Sequence, residues 1–159
     1  MDLLELVAGV LDSLRPQKLF RYVALHVHPK RGHFRVRGDA DQLRQVLVNL
    51  LLNAAQAMQG RGRIDLELDQ NGGLVELLVR DDGPGVPAEV AEKIFEPFYS
   101  TKSSDEGTGL GLSLCRKLVE DHGGSLDLVA SDRGACFRLA FPALQEEKNF
   151  DNQKGDFIP

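Results

Sequence analysis

Asn49 and Asn53 sit one helical turn apart in a leucine-rich stretch, and Gln42, Gln45 and Gln56 continue the same row at spacings of three and four. Asparagine is a mediocre helix former because its side chain competes for backbone hydrogen bonds, so two of them on one helix face need a reason. A neutral amide oxygen is a hard donor suited to Mg²⁺, which completes its shell with phosphate oxygens and water. A solvated polar face is the plainer reading, although Lys or Glu would be commoner there. On this stretch alone both readings stand.

A second cluster is Asp81-Asp82-Gly83-Pro84-Gly85, directly after an apolar run. Asp-Gly and Pro-Gly pairs are common in surface turns. The same glycines would let a flat ligand approach the backbone, with Asp81 at the strand end accepting a hydrogen bond in a pocket floor. A third cluster, Gly107-Thr108-Gly109-Leu110-Gly111-Leu112, opens a helix, where bare N–H groups and the helix dipole both favour an anion. It superficially resembles a dinucleotide fingerprint, but it follows a polar loop and not a strand, so that context fails. Ile94-Phe95-Glu96-Pro97-Phe98-Tyr99 supplies an apolar anchor ahead of the loop, and Lys102 on the loop could reach phosphates.

The elements that must position these residues follow from periodicity. Leu3, Leu6, Val7, Val10, Leu11 and Leu14 predict a helix over about 2–15, stopped by Pro16. Phe20–His28 alternates as a strand, and a basic loop follows with a short strand near Phe34–Arg37. Asp39 and Gln42 form a capping box for a helix reaching Gln59 and ended by Gly60. Arg63–Asp69 and Leu74–Val79 are strands across an Asn71-Gly72 hairpin, the second apolar enough to be central. A short helix is expected near Ala88–Ile94, a long polar loop over 96–109, and a helix from about Gly109 to Gly123-Gly124. Ser125–Val129 and Ala135–Phe141 make a last hairpin. This order predicts an α/β two-layer sandwich, with a mixed, mostly antiparallel sheet and helices on one face. The domain is expected over 1–143, with a polar, disordered tail over 144–159.

Bulk composition narrows the classes. The 159 residues carry a net charge of −5, so no global cationic field draws nucleic acid or an anionic membrane. Lys30, Arg31, Arg35 and Arg37 form a local basic run that reads as a solvated loop. No apolar stretch approaches the roughly 18 residues needed to span a bilayer. Met1-Asp2 lacks the basic start of a signal peptide. Cys115 and Cys136 have no metal spacing and read as core residues of a reducing, cytoplasmic compartment, in a chain that could be the soluble end of a larger sensor. His26-Val27-His28 lacks partners at zinc spacing.

Taken in order, Asn49–Asn53, Asp81–Gly85, Phe95–Phe98 and Gly107–Gly111 resemble the N, G1, F and G2 boxes of histidine kinases. Those kinases share an ATP-binding fold with gyrase and mismatch-repair ATPases. The stretches NLLLNAAQAM, DDGPGVP, IFEPFYSTK and GTGLGLSLCRKLVEDHGG look especially like nitrogen-regulatory sensor kinases. The resemblance implies an ATP-binding catalytic domain in two-component signalling, using ATP and Mg²⁺. It implies that Asn53 holds the metal, that Asn49 supports it and that Lys102 serves the phosphates. Asp81 would accept from the adenine amino group, with Gly83 and Gly85 shaping that pocket. Phe95 and Phe98 would anchor the lid, and Gly107, Thr108, Gly109 and Gly111 would form the phosphate loop. Gln56 departs from the lysine that many relatives carry there. The implied partner is a histidine-bearing dimerisation domain, with a response regulator served indirectly, because His26, His28, His33 and His122 do not resemble an acceptor. Two other readings are a clamp ATPase, disfavoured because Asn49 stands where such proteins place a general-base glutamate, and a serine-kinase-type controller of a sigma factor.

Overall fold

A computed structural model describes residues 1–99 and 111–145. Asp2 caps the first helix, α1 (Leu3–Leu14), by accepting from the N–H groups of Leu4 and Glu5. A 3₁₀ turn, Lys18–Phe20, leads into β1 (Tyr22–Pro29), and α2 (Ala40–Ala57) crosses over to β2 (Arg61–Asn71). That crossover makes β1 and β2 parallel, while β3 (Leu74–Asp81), β4 (Ser125–Val129) and β5 (Cys136–Pro142) complete an otherwise antiparallel sheet. The five strands run in the order β1-β2-β3-β5-β4. α3 (Gly111–Asp121) packs beside α2.

Alternation assigns the two faces of the sheet. Ile64, Leu66 and Leu68 of β2, Val75, Leu77 and Val79 of β3, and Phe137, Leu139 and Phe141 of β5 are all buried against the helices. On the outer face the intervening residues are ionic. Arg63 meets Asp65 at 2.9 Å, Lys30 meets Glu67 at 3.3 Å and Arg138 meets Glu76 at 2.6 Å. Hydrogen bonding to Arg63 is the main reason the Asp65 carboxyl lies below its ordinary range. From the basic run, Lys30 and Arg31 are paired with Glu67 and Asp69. The two-layer sandwich is therefore as expected. β3 is indeed internal, yet its near-continuous apolar run is buried on one face only, and Leu78 lies half-buried opposite Arg138.

Three local expectations change. The segment 88–95 is not a helix but two 3₁₀ turns, Ala88–Val90 and Lys93–Phe95; so short a piece gains too few hydrogen bonds to offset helix nucleation. The strand expected near Phe34–Arg37 is reduced to isolated bridges, Asp2 with Arg35 and Val36 with Ala143. The capping box on α2 is only half formed. Asp39 accepts from the N–H groups of Asp41 and Gln42, but its own N–H donates to His122 Nε2 at 3.0 Å and not to Gln42. The tail from 146 lies outside the described residues.

Because the Asp39 carboxylate serves two N–H groups at the start of α2, Asp39→Ala should lower stability by about 1 kcal/mol in urea denaturation with an unchanged m-value.

Candidate functional site

The end of β3 delivers Asp81 into the helix-facing side of the sheet, opposite Ile64 of β2. It is the buried charged residue of the described core, 6% exposed. Its Oδ1 accepts from Gly83 N–H at 2.9 Å and from Ala135 N–H at 3.1 Å. Its backbone N–H donates to Ala135 C=O at 3.0 Å, so one residue closes both its own turn and the entry to β5. Oδ2 receives no hydrogen bond from the described residues. A buried carboxylate normally fills its acceptor sites, so this oxygen is positioned for a donor arriving from outside the chain.

Glycines make that geometry possible. At Gly134, with φ +64°, a Cβ would fall on the carbonyl of Asp81. At Gly85, φ is +78° and a Cβ would stand 3.1 Å from Gly134 C=O. Gly83 lies over the last turn of α2, where a Cβ would be 3.2 Å from Met58 Cγ. The Asp81 turn therefore abuts the end of the helix that carries the amides. Asp82 has a different task, accepting from Arg63 N–H at 3.0 Å.

On α2, Asn49 and Asn53 are half-buried and Gln56 is exposed. Cys115 of α3 meets this helix directly, its Sγ donating to Val46 C=O at 3.8 Å. Burial pushes the Cys115 thiol up to about 11, with Asn49 acting weakly the other way. Cys136, also buried, is shifted in the same direction by burial.

The aromatic anchor divides in two. Phe95 is buried, edge-on to Phe137 with centroids 6.2 Å apart, and the Arg116 guanidinium lies 4.0 Å over its ring. Arg116 is held in turn by Leu126 C=O at 3.2 Å and Asp127 at 3.2 Å. Phe98 is 76% exposed, with its backbone at φ +65°. Lys102, Gly107, Thr108 and Gly109 lie outside the described residues. Gly111 opens α3 with no described atom near a would-be Cβ, so packing does not demand glycine there. The site thus brings together Asp81, Gly83, Gly85 and the amide helix. Gly134, Ala135 and Arg116 belong with it and carried no distinctive signal: the first two read as an ordinary hairpin turn, the third as a surface cation.

His26 and His28 stack at 6.3 Å, and His28 Nε2 meets Asp65 at 2.7 Å. Among the described residues no three His, Cys, Asp or Glu side chains converge as a metal site. Nor is any described helix long and apolar enough to cross a membrane.

The buried thiols yield a pH-dependent expectation. A folded-state value raised above the ordinary 9.0 means that Cys115 contributes stability fully below pH 9, which is lost as pH rises toward about 11. Iodoacetamide at pH 8 should leave native Cys115 and Cys136 unmodified and label both in urea, read by mass spectrometry. The alkaline loss of stability should shrink in Cys115→Val.

Residues 38–145 match the family described as histidine kinase-, DNA gyrase B- and HSP90-like ATPase. Sensor histidine kinase ZraS of Klebsiella oxytoca is 36% identical over 94% of this chain, which spans 32% of that protein. The sensory histidine kinase/phosphatase NtrB of Rhodobacter capsulatus is 41% identical over 69% of the chain, which spans 34% of it. The chain thus spans about a third of the length of these curated relatives. The catalytic domain of histidine kinase ThkA superposes with a TM-score of 0.79 at 34% identity, covering 89% of this chain and 93% of that one. ThkA has also been solved in complex with the response regulator protein TrrA. The chain therefore belongs to the histidine kinase-, DNA gyrase B- and HSP90-like ATPase family, as a catalytic domain of the histidine-kinase type.

Proposed function

We propose that this domain binds ATP with Mg²⁺ and donates the γ-phosphoryl group to a histidine on a separate helical dimerisation domain, in a cytoplasmic two-component relay that ends on a response regulator. The observation that carries the nucleotide reading is the unbonded Oδ2 of buried Asp81. The adenine amino group is the donor that this oxygen would take, with Gly83 and Gly85 keeping the pocket wall low enough for a flat base.

The residues present fit the metal as well. Asn53, with Asn49 one turn before it, offers neutral oxygen donors on the helix whose last turn meets the Asp81 turn. When bound, Mg²⁺ neutralises charge on the phosphates. The chain's own contribution is positioning, which is most of what phosphoryl transfer requires. Lys102, Gly107, Thr108, Gly109 and Gly111 are assigned to the phosphates, and Phe95 and Phe98 to the lid's foot, on the strength of the boxes they occupy. Asn49 favours a kinase over a clamp ATPase, because an amide cannot take a proton from water. The ThkA complex with response regulator TrrA supports a response regulator as the relay's end point.

Base choice tests Asp81. Guanine presents a carbonyl where adenine presents its amino group, and losing a hydrogen bond to a charged group costs about 1.5–3 kcal/mol. Calorimetry should find ATP bound at least about tenfold more tightly than GTP, with Asp81→Asn weakening ATP; equal affinities remove Asp81 from the pocket.

Transfer is tested with radiolabelled ATP and a dimerisation domain from a related kinase. Acid-labile label should appear on the added domain only, and should vanish with Asn53→Ala. Brisk hydrolysis by the chain alone would instead favour the clamp ATPase.

A further inference from the structure

His122 closes α3, and both of its ring nitrogens are committed to backbone groups. Nδ1 lies 2.6 Å from Leu118 C=O on its own helix, and Nε2 lies 3.0 Å from the N–H of Asp39, the cap of α2. A carbonyl only accepts and an N–H only donates. The ring is therefore neutral, with its proton on Nδ1 and a bare Nε2. The ring also lies so close to Gly38 that a Cβ at that position would overlap His122 Cδ2. The remaining capacity of Asp39 is spent on α2 itself, through Asp41 and Gln42.

We infer that His122 is a positioning residue that sets the register of α2, the helix carrying Asn49 and Asn53, against α3. It pins the first turn of α2. Cys115 attaches the helix again further along, through Val46 C=O. From Asp39 to Asn49 is about 15 Å along the axis, at 1.5 Å per residue. Two attachments at separate heights fix both the rotation and the axial position of a rigid rod. His122 thereby determines where the amide row stands relative to Gly111, the last glycine of the Gly107–Gly111 series, without touching a ligand itself. The Asp81 carboxylate is itself fixed by the N–H groups of Gly83 and Ala135, at the ends of β3 and β5, and by no group of α2.

The inference rests on the proposed nucleotide site, and the test separates the two. Long-range ¹H–¹⁵N spectra of the wild-type chain should show His122 as the Nδ1–H tautomer; the Nε2–H form would overturn the inference. His122→Phe keeps a ring over Gly38 but loses both bonds, so Mg-ATP affinity should fall about fivefold, the scale of one lost hydrogen bond. Adenosine affinity, which reads the Asp81 end, should stay unchanged. His122→Gln should recover most of the loss, because its amide can donate to Leu118 C=O and accept from Asp39 N–H. Equal weakening of ATP and adenosine, or no weakening of either, overturns the inference while leaving the nucleotide reading intact. Absence of ATP binding by wild type sinks the nucleotide reading instead, and the tautomer then still decides the joint. Should His122→Phe not fold, Gly38→Ala displaces the same ring and must show the same split between ATP and adenosine.

Discussion

The carboxylate of Asp81 is bonded where a protein interior least tolerates a charge. Burying it costs several kcal/mol unless its lone pairs are filled, and the chain fills those of Oδ1 with two backbone N–H groups from sequence-distant places, Gly83 and Ala135. That one oxygen explains why β3 must end where it does, why β5 must start beside it, and why Gly134 stands between them with a positive φ. The sheet order follows from the same need, since β5 can offer Ala135 to Asp81 only as the neighbour of β3. The fold and the pocket are thus one requirement, met once.

The helical layer answers a second constraint, that α2 with its row of amides stays fixed to α3. Arg116 extends this lock from α3 to Phe95 and onward to β4, so the foot of the long polar segment is tied to the sheet through a cation lying on an aromatic face. A guanidinium suits the task because its planar fork can stack and donate in-plane at once.

Much of this was legible before any coordinates. α1, α2 and the two hairpins carry strong periodicity and unambiguous stops, and local pattern decides such elements. The burial of Asp81 was foreshadowed by its place at the end of an apolar strand, although Gly83 and Gly85 suit a surface turn as well. The partner half of its turn was not. Gly134 and Ala135 sit in a turn sequence that any hairpin could use, and only the long-range pairing of β3 with β5 gives them a task. His122 was overlooked for the same reason, since it meets Asp39 from 83 positions away.

The ionic outer face of the sheet bears on how such a domain diverges. Arg63–Asp65, Lys30–Glu67 and Arg31–Asp69 are solvated pairs, which contribute little to stability. Every strand therefore carries two texts of unequal weight. The inward letters are held by packing and by the Asp81 turn. The outward letters can be rewritten almost neutrally, even to the point of exchanging the signs of a pair. Relatives sharing only a third of their residues can superpose closely on those terms, and the back of the sheet is where lineages can acquire new surface chemistry while the helix-facing side stays as it was.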